Sequence, residues 1–266
     1  METMLKASIY AQKYLPNFIT DDFTKGVCSK MGKSSRKADK LRFAKTYKIN
    51  WKQAELCKDS KNLEDCMDNF PTLNDLFSRK ISKELTKPER RGAKDIISPA
   101  ECYARRVSAD DEFEIKGADY TLQKLLKRKN VPHKSTIFIF RLAPEQYHRF
   151  HSPTSATIVS IKTHGGTYKS VNPILLNSIP VLQENYRKVI DFDNGLIMVT
   201  VGATCVGSVN LSIKKGDTVK HGQDIGTFEF GGSCIALIVP YDIKSVQKKI
   251  GEDERIIKPG SWVCSF

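Results

Sequence analysis

Short segments rich in apolar and β-branched residues recur along the chain from about residue 90. Thr136 to Leu142, Ala156 to Lys162 and Gly195 to Val201 are each of strand length. Turn-forming clusters separate them: His164-Gly165-Gly166, Asp193-Asn194-Gly195 and Lys215-Gly216-Asp217. Tyr120 to Lys127 carries Leu122, Leu125 and Leu126 at helical spacing and predicts a short helix. Residues 1–67 differ. Lysine is frequent, glycine is rare, and apolar residues fall at helical intervals, at Ile9, Tyr10 and Tyr14 and again at Leu41, Ala44 and Tyr47. Two or three helices are expected there, with the basic stretch from Lys30 to Lys40 as a turn or linker. The fold class is therefore α+β, an N-terminal helical region followed by a mainly antiparallel β core.

At 266 residues the chain is long enough for one main domain and an appendage. Hydrophobic residues make up 40% and charged residues 27%, as in soluble globular proteins. The longest apolar runs, Ile137 to Phe140 and Ile235 to Pro240, fall far short of the ~20 residues that span a bilayer. Lys6 and Lys13 interrupt any secretory core, and Asp21-Asp22 breaks the acid-poor pattern of a mitochondrial presequence. Seven scattered cysteines without a Cys-x-x-Cys pair predict reduced thiols, a cytosol-facing chain and no metal site. The net charge of +13 serves solubility or an anionic partner. Zinc-ligand spacing, an RNP-like stretch and a helix-turn-helix signature are all missing, which argues against nucleic acid. An anionic membrane surface fits better, since it attracts Lys and Arg at ~1 kcal/mol each.

Candidate chemistry concentrates in three segments. Phe228-Glu229-Phe230-Gly231-Gly232-Ser233-Cys234 ends an alternating apolar stretch on a glycine pair. A serine after glycine can attack the preceding carbonyl, because glycine has no side chain to block the approach. Arg141-Leu142-Ala143-Pro144-Glu145-Gln146-Tyr147-His148-Arg149-Phe150-His151-Ser152-Pro153 supplies two histidines. Ile97-Ser98-Pro99-Ala100-Glu101-Cys102 supplies a carboxylate. Taken in chain order, the three resemble the phosphatidylserine decarboxylases, a pyruvoyl-dependent, self-processing family with a Tyr-His-Arg-x-His-x-Pro segment, an acid after Pro-Ala and a Gly-Ser cleavage site near the C-terminus. Val171-Asn172-Pro173, Val201 to Ser208 and Phe70 to Lys80 extend the resemblance over roughly residues 68–240. Ile213 to Gly226 is similar to the hairpin of lipoyl-type barrel-sandwich folds, so a barrel-sandwich-like C-terminal part is expected.

The resemblance implies a lyase that turns phosphatidylserine into phosphatidylethanolamine in phospholipid biosynthesis. It implies cleavage of a zymogen between Gly232 and Ser233, giving a β chain of residues 1–232 and an α chain of residues 233–266. Ser233 would become a covalent pyruvoyl group, the electron sink that decarboxylation requires. His151 matches the processing base, Glu101 the acid that orients it, and His148 the residue that protonates the product. The arrangement has the logic of a Ser-His-acid triad. Residues 1–67 would form a basic platform lying on the membrane, with 68–266 as the catalytic domain, and the resemblance also allows a homodimer. On a strand, His148 and His151 would face opposite sides, so a turn near Pro144 and Pro153 is expected. Glu101 stands where the family carries aspartate, and Cys234 brings a competing thiol next to Ser233. Two other readings stand beside this one: a pyruvoyl enzyme acting on a free amino acid, and an uncut, inactive relative that binds lipid.

Overall fold

The computed structural model describes residues 12–14, 26, 29–89, 92–204 and 209–266. The helical region comes first. Helices span Ser29–Gly32, Lys37–Thr46, Leu63–Asp68 and Leu73–Phe77. The last is held by a reciprocal cap. Thr72 Oγ1 accepts the Asp75 N–H, and the Asp75 carboxylate accepts the Thr72 N–H. Phe43, Met67, Phe70, Leu76 and Phe77 form a small core of their own, with Phe230 packed against it. The expected linker at 30–40 is thus narrower than its composition suggests. Helix intrudes at both ends, because Phe43 and Ala44 find a buried face and Ser34 Oγ donates to Asp39 at 2.6 Å. The first expected helix, around Ile9 and Tyr14, lies largely outside the described residues.

Sixteen strands follow among the described residues: β1 (Asp95–Ile97), β2 (Cys102–Ala109), β3 (Glu112–Ile115), β4 (Ala118–Thr121), β5 (Ser135–Leu142), β6 (Arg149–His151), β7 (Ala156–His164) and β8 (Arg187–Phe192). Then come β9 (Ile197–Gly202), β10 (Val209–Leu211), β11 (Thr218–Val219), β12 (Asp224–Phe228), β13 (Ser233–Val239), β14 (Ser245–Val246), β15 (Arg255–Ile257) and β16 (Trp262–Ser265). Eight make one antiparallel sheet in the order β11-β7-β8-β9-β13-β5-β2-β15. A second sheet has the order β10-β12-β6 and a third β1-β16-β14. The α+β architecture with helices first and an antiparallel β core matches the sequence pattern.

The central strand β13 reads apolar at every position after Ser233 because both faces of the sheet are covered. Ile235, Leu237 and Val239 join one core with Phe138, Phe140 and Phe228. Cys234, Ala236 and Ile238 join the other with Ile137, Ile139 and Val199. Two-residue alternation sorts them. The expected helix at 120–127 forms over Leu122–Leu126, with the Thr121 side chain accepting the Lys124 N–H as its cap.

One cysteine expectation is corrected. Cys57 and Cys66 form a disulfide, with their Cα atoms 5.0 Å apart. The chain between them folds back from a 3-10 turn at Glu55–Cys57 into the helix Leu63–Asp68, and this bend brings the two sulfurs together. Cys102, Cys234 and Cys264 are free and buried. No helix among the described residues is long and apolar enough to cross a membrane, and none of their His, Cys, Asp and Glu side chains cluster as a metal site would require.

Candidate active site

The register of the central sheet brings the three sequence segments to one end of it. Ser233, the first residue of β13, pairs with Leu142 at the end of β5 and with Gly202 at the end of β9. Tyr103 pairs with Arg141, so Glu101, just before β2, arrives at the same level. Beyond Leu142 the chain turns at Pro144 and Glu145, as the proline predicts, and re-enters extended structure at β6.

Ser233 is fully buried and its Oγ has no hydrogen-bond partner among the described residues. A buried hydroxyl left unpaired costs roughly 1–3 kcal/mol and is rare without a function. The peptide before it is clamped from both sides. The Gly232 carbonyl accepts the Ala203 N–H at 3.1 Å, and the Gly232 N–H donates to Thr204 O at 3.0 Å. Gly231 has φ +143°, a region that side chains other than glycine's rarely occupy. The competing thiol lies elsewhere, because alternation sends Cys234 to the opposite face. Burial also pushes its ionisation up to about 12.

The two histidines differ. His148 is fully buried, with its ring 3.8 Å from that of Phe77. Its Nδ1 lies 2.9 Å from Gln146 O. A carbonyl only accepts, so Nδ1 carries the proton and Nε2 a lone pair, and that Nε2 has no partner among the described residues. Burial, opposed by the Gln146 hydrogen bond and aided by the charge on Arg79, pushes its pKa down to about 3. His151 Nδ1 lies 2.9 Å from Gly222 O, which fixes the same tautomer. Its Nε2 accepts from the Tyr147 hydroxyl at 3.1 Å. Its pKa is also lowered, chiefly by burial, with Asp224 opposing and Arg149 reinforcing.

His148 lies just before β6 and His151 at its end. Phe150 points into the core against Phe228, while Arg149 and His151 turn toward Asp224. Asp224 pairs with His151 across the β12–β6 ladder, and its carboxylate takes the Arg149 Nε–H at 2.6 Å. His151 and Tyr147 line a cavity of about 640 Å³ whose rim carries Lys80, Lys83 and Lys87.

The expected direct chain Glu101–His151–Ser233 is therefore not closed by hydrogen bonds. Glu101 Oε2 accepts the Tyr147 N–H at 3.0 Å, and it is Tyr147 that touches both Glu101 and His151. The reason is local: after the turn the backbone N–H of Tyr147 presents itself to Glu101, and the strand carries His151 past it. The sequence pattern singles out none of Tyr147, Asp224, Ala203 or Asn74 for a role. The alternation of β6 was the one available signal, for Asp224, and only the strand order gives it meaning. His221 is structural, bonded to Ser155 and to Asp95 O, and His133 and His164 lie away from the site.

Comparisons with known proteins agree with the motifs. A family model for phosphatidylserine decarboxylase matches residues 73–261. The chain is 34% identical over 219 residues to phosphatidylserine decarboxylase proenzyme 2 of Saccharomyces cerevisiae, covering 76% of this chain and 19% of the relative. It is 33% identical over 251 residues to the phosphatidylserine decarboxylase proenzyme of Clostridium novyi, covering 90% of this chain and 82% of the relative. The chain thus spans only 19% and 22% of the length of the S. cerevisiae and Komagataella phaffii relatives.

Proposed function

The chain belongs to the phosphatidylserine decarboxylase family, and we propose that it is a self-cleaving proenzyme that decarboxylates phosphatidylserine to phosphatidylethanolamine. The observation that carries this reading is Ser233: a buried hydroxyl, unpartnered among the described residues, directly after a glycine carbonyl held by the Ala203 N–H. These residues fit the formation of a pyruvoyl group at position 233.

In this reading His151 Nε2 releases Tyr147 and takes the Ser233 Oγ proton, and Oγ adds to the Gly232 carbonyl carbon. The Ala203 N–H then steadies the negative oxygen. The C–N bond breaks, the nitrogen takes a proton, and an ester joins Gly232 to Ser233. Loss of the residue-233 Cα proton expels the Gly232 carboxylate and leaves dehydroalanine, which water converts to pyruvoyl and ammonia. The pyruvoyl group supplies the electron sink for decarboxylation. Glu101 orients the histidine segment through Tyr147, and His148 serves the proton returned to the product.

A second assignment exchanges the histidines, and one observation favours it. His148 Nε2 already carries a free lone pair, whereas that of His151 is occupied by Tyr147. Here His148 takes the Ser233 proton.

The lipid substrate is supported by the helical region. Met31, Tyr47 and Leu56 are 48%, 39% and 57% exposed among many lysines, and residues 1–67 are proposed to lie on an anionic membrane while 68–266 carry the chemistry. The 213–226 segment is proposed as the barrel-sandwich hairpin. Co-sedimentation with phosphatidylserine vesicles, with loss of binding on removing residues 1–67, checks the membrane part.

Denaturing intact-mass measurement tests the whole. Two fragments split between Gly232 and Ser233, the C-terminal one lighter by one ammonia than a serine-led peptide, are expected. A chain that stays whole, like a Ser233→Ala control, removes the enzyme reading. The same time course on His148→Ala and His151→Ala assigns the base, since the variant lacking it stays uncut.

A further inference from the structure

The segment Phe70 to Lys80 has motif-like character but no part in the chemistry above. Its helix, Leu73–Phe77, reaches the cleavage loop at two points. Asn74 Oδ1 accepts the Phe230 N–H at 2.8 Å. From the same helix, Phe77 packs edge-on against the Phe230 ring at 5.5 Å and, tilted at 32°, against the His148 ring at 3.8 Å. Phe43 closes on Phe230 from the other side, also at 5.5 Å. Phe230 stands three residues before Ser233, with Gly231 and Gly232 between them.

Two glycines in succession leave the loop with little stiffness of its own. Its geometry must come from outside, and the structure shows where. The Phe228 N–H is held by His148 O, the Phe230 N–H by Asn74 and the Gly232 N–H by Thr204 O. Of these three anchors, the Asn74 one alone is made by a side chain. Asn74 is itself seated closely: a Cβ added to Gly32 would lie 2.8 Å from Asn74 Oδ1, so a side chain there would displace it.

We propose that Asn74 is a positioning residue for self-cleavage, its carboxamide oxygen holding the Phe230 peptide so that the Gly232 carbonyl stays in line with Ser233 Oγ. The inference rests on the self-processing reading. It gives the N-terminal helices a direct task in making the active site. It also accounts for Gly32, whose φ is ordinary and where an added Cβ would first meet the Asn74 carboxamide.

The test follows cleavage of the full chain by intact mass for the parent, Asn74→Leu and Asn74→Asp. Leucine removes the acceptor at similar size, and aspartate keeps one. Loss of one hydrogen bond slows cleavage about fivefold, and misplacement of the carbonyl by ~1 Å would raise this toward ~10²-fold. The expected result is at least a fivefold loss in Asn74→Leu with Asn74→Asp within about twofold of the parent. Equal rates in parent and Asn74→Leu would overturn the inference, as would equal slowing in both variants, because the acceptor oxygen would then not be the cause. If Asn74→Leu fails to fold, Gly32→Ala applies the same displacement from the other side, and parent-like cleavage in it overturns the inference. A parent that never cuts, matching Ser233→Ala, removes the self-processing reading and this inference with it.

Discussion

The Tyr147 hydroxyl donates to His151 Nε2 at 3.1 Å, while the Tyr147 backbone N–H is held by Glu101 at 3.0 Å. One residue thus couples the carboxylate to the imidazole through two different groups. In the uncut chain it also occupies the lone pair through which His151 would act as a base. Tyr147→Phe keeps the backbone link and frees that lone pair. If His151 is the base, the variant is expected to cut faster than the parent by about fivefold, the worth of one hydrogen bond. A slower variant would mean that Tyr147 assembles the base instead of masking it. The cleavage time course decides.

Where the motif resemblance implies aspartate the chain carries Glu101, whose longer side chain reaches the Tyr147 N–H. The extra methylene lets Oε2 meet the Tyr147 N–H at hydrogen-bond distance. Glu101→Asp withdraws the carboxylate by roughly a bond length, and ~1 Å of misplacement can cost on the order of 10²-fold. Cleavage in Glu101→Asp is therefore expected to slow, by tenfold or more. A variant that cuts faster than the parent would mark Glu101 as a handicapped acid.

The sequence made some of this legible and hid the rest, for physical reasons. Strand periodicity located β5, β7 and β9, and the proline before Tyr147 located the turn, because both are local effects. Ser233, His148, His151 and Glu101 stood out through the family resemblance, because each sits in a short motif of its own. What was hidden depends on strand order. Asp224 meets His151 only because β12 pairs with β6, and Ala203 meets Gly232 only because β9 flanks β13. The link from Asn74 to Phe230 joins residues 156 positions apart. Cysteine counting failed at Cys57 and Cys66, where a backbone bend and not a motif brings the sulfurs together.

That disulfide has a measurable consequence. It closes a loop spanning 9 positions inside the helical core that carries Phe43 and Phe77. In the chain-entropy view a loop of this size contributes about 2–3 kcal/mol. Reduction, or Cys57→Ser with Cys66→Ser, is expected to lower stability by that order, read from denaturant unfolding of the Ser233→Ala chain. Because the same core holds Phe230, cleavage in the otherwise native chain should slow in parallel. Unchanged unfolding on reduction would show that the bond contributes nothing to this core.

The buried histidines also predict how stability follows pH. His148 is held neutral in the folded chain, with a pKa near 3 against 6.5 when free, because burial penalises its charged form. Its folded pKa is depressed, so its contribution is fully present above pH ~6.5 and is lost as pH falls toward 3, where only the unfolded chain binds the proton. Between pH 7.5 and 5 this one group removes about 2 kcal/mol. His151 is shifted in the same direction and steepens the loss. Carboxylates titrate mostly below this window, with free values near 4. Unfolding of the Ser233→Ala chain should therefore show stability falling from pH 6.5 to 5. His148→Gln, which cannot take the proton, should flatten that slope by nearly one proton's worth. A slope the same in both would mean that His148 is protonated in the folded chain, and its Nε2 would then have no lone pair with which to act on Ser233.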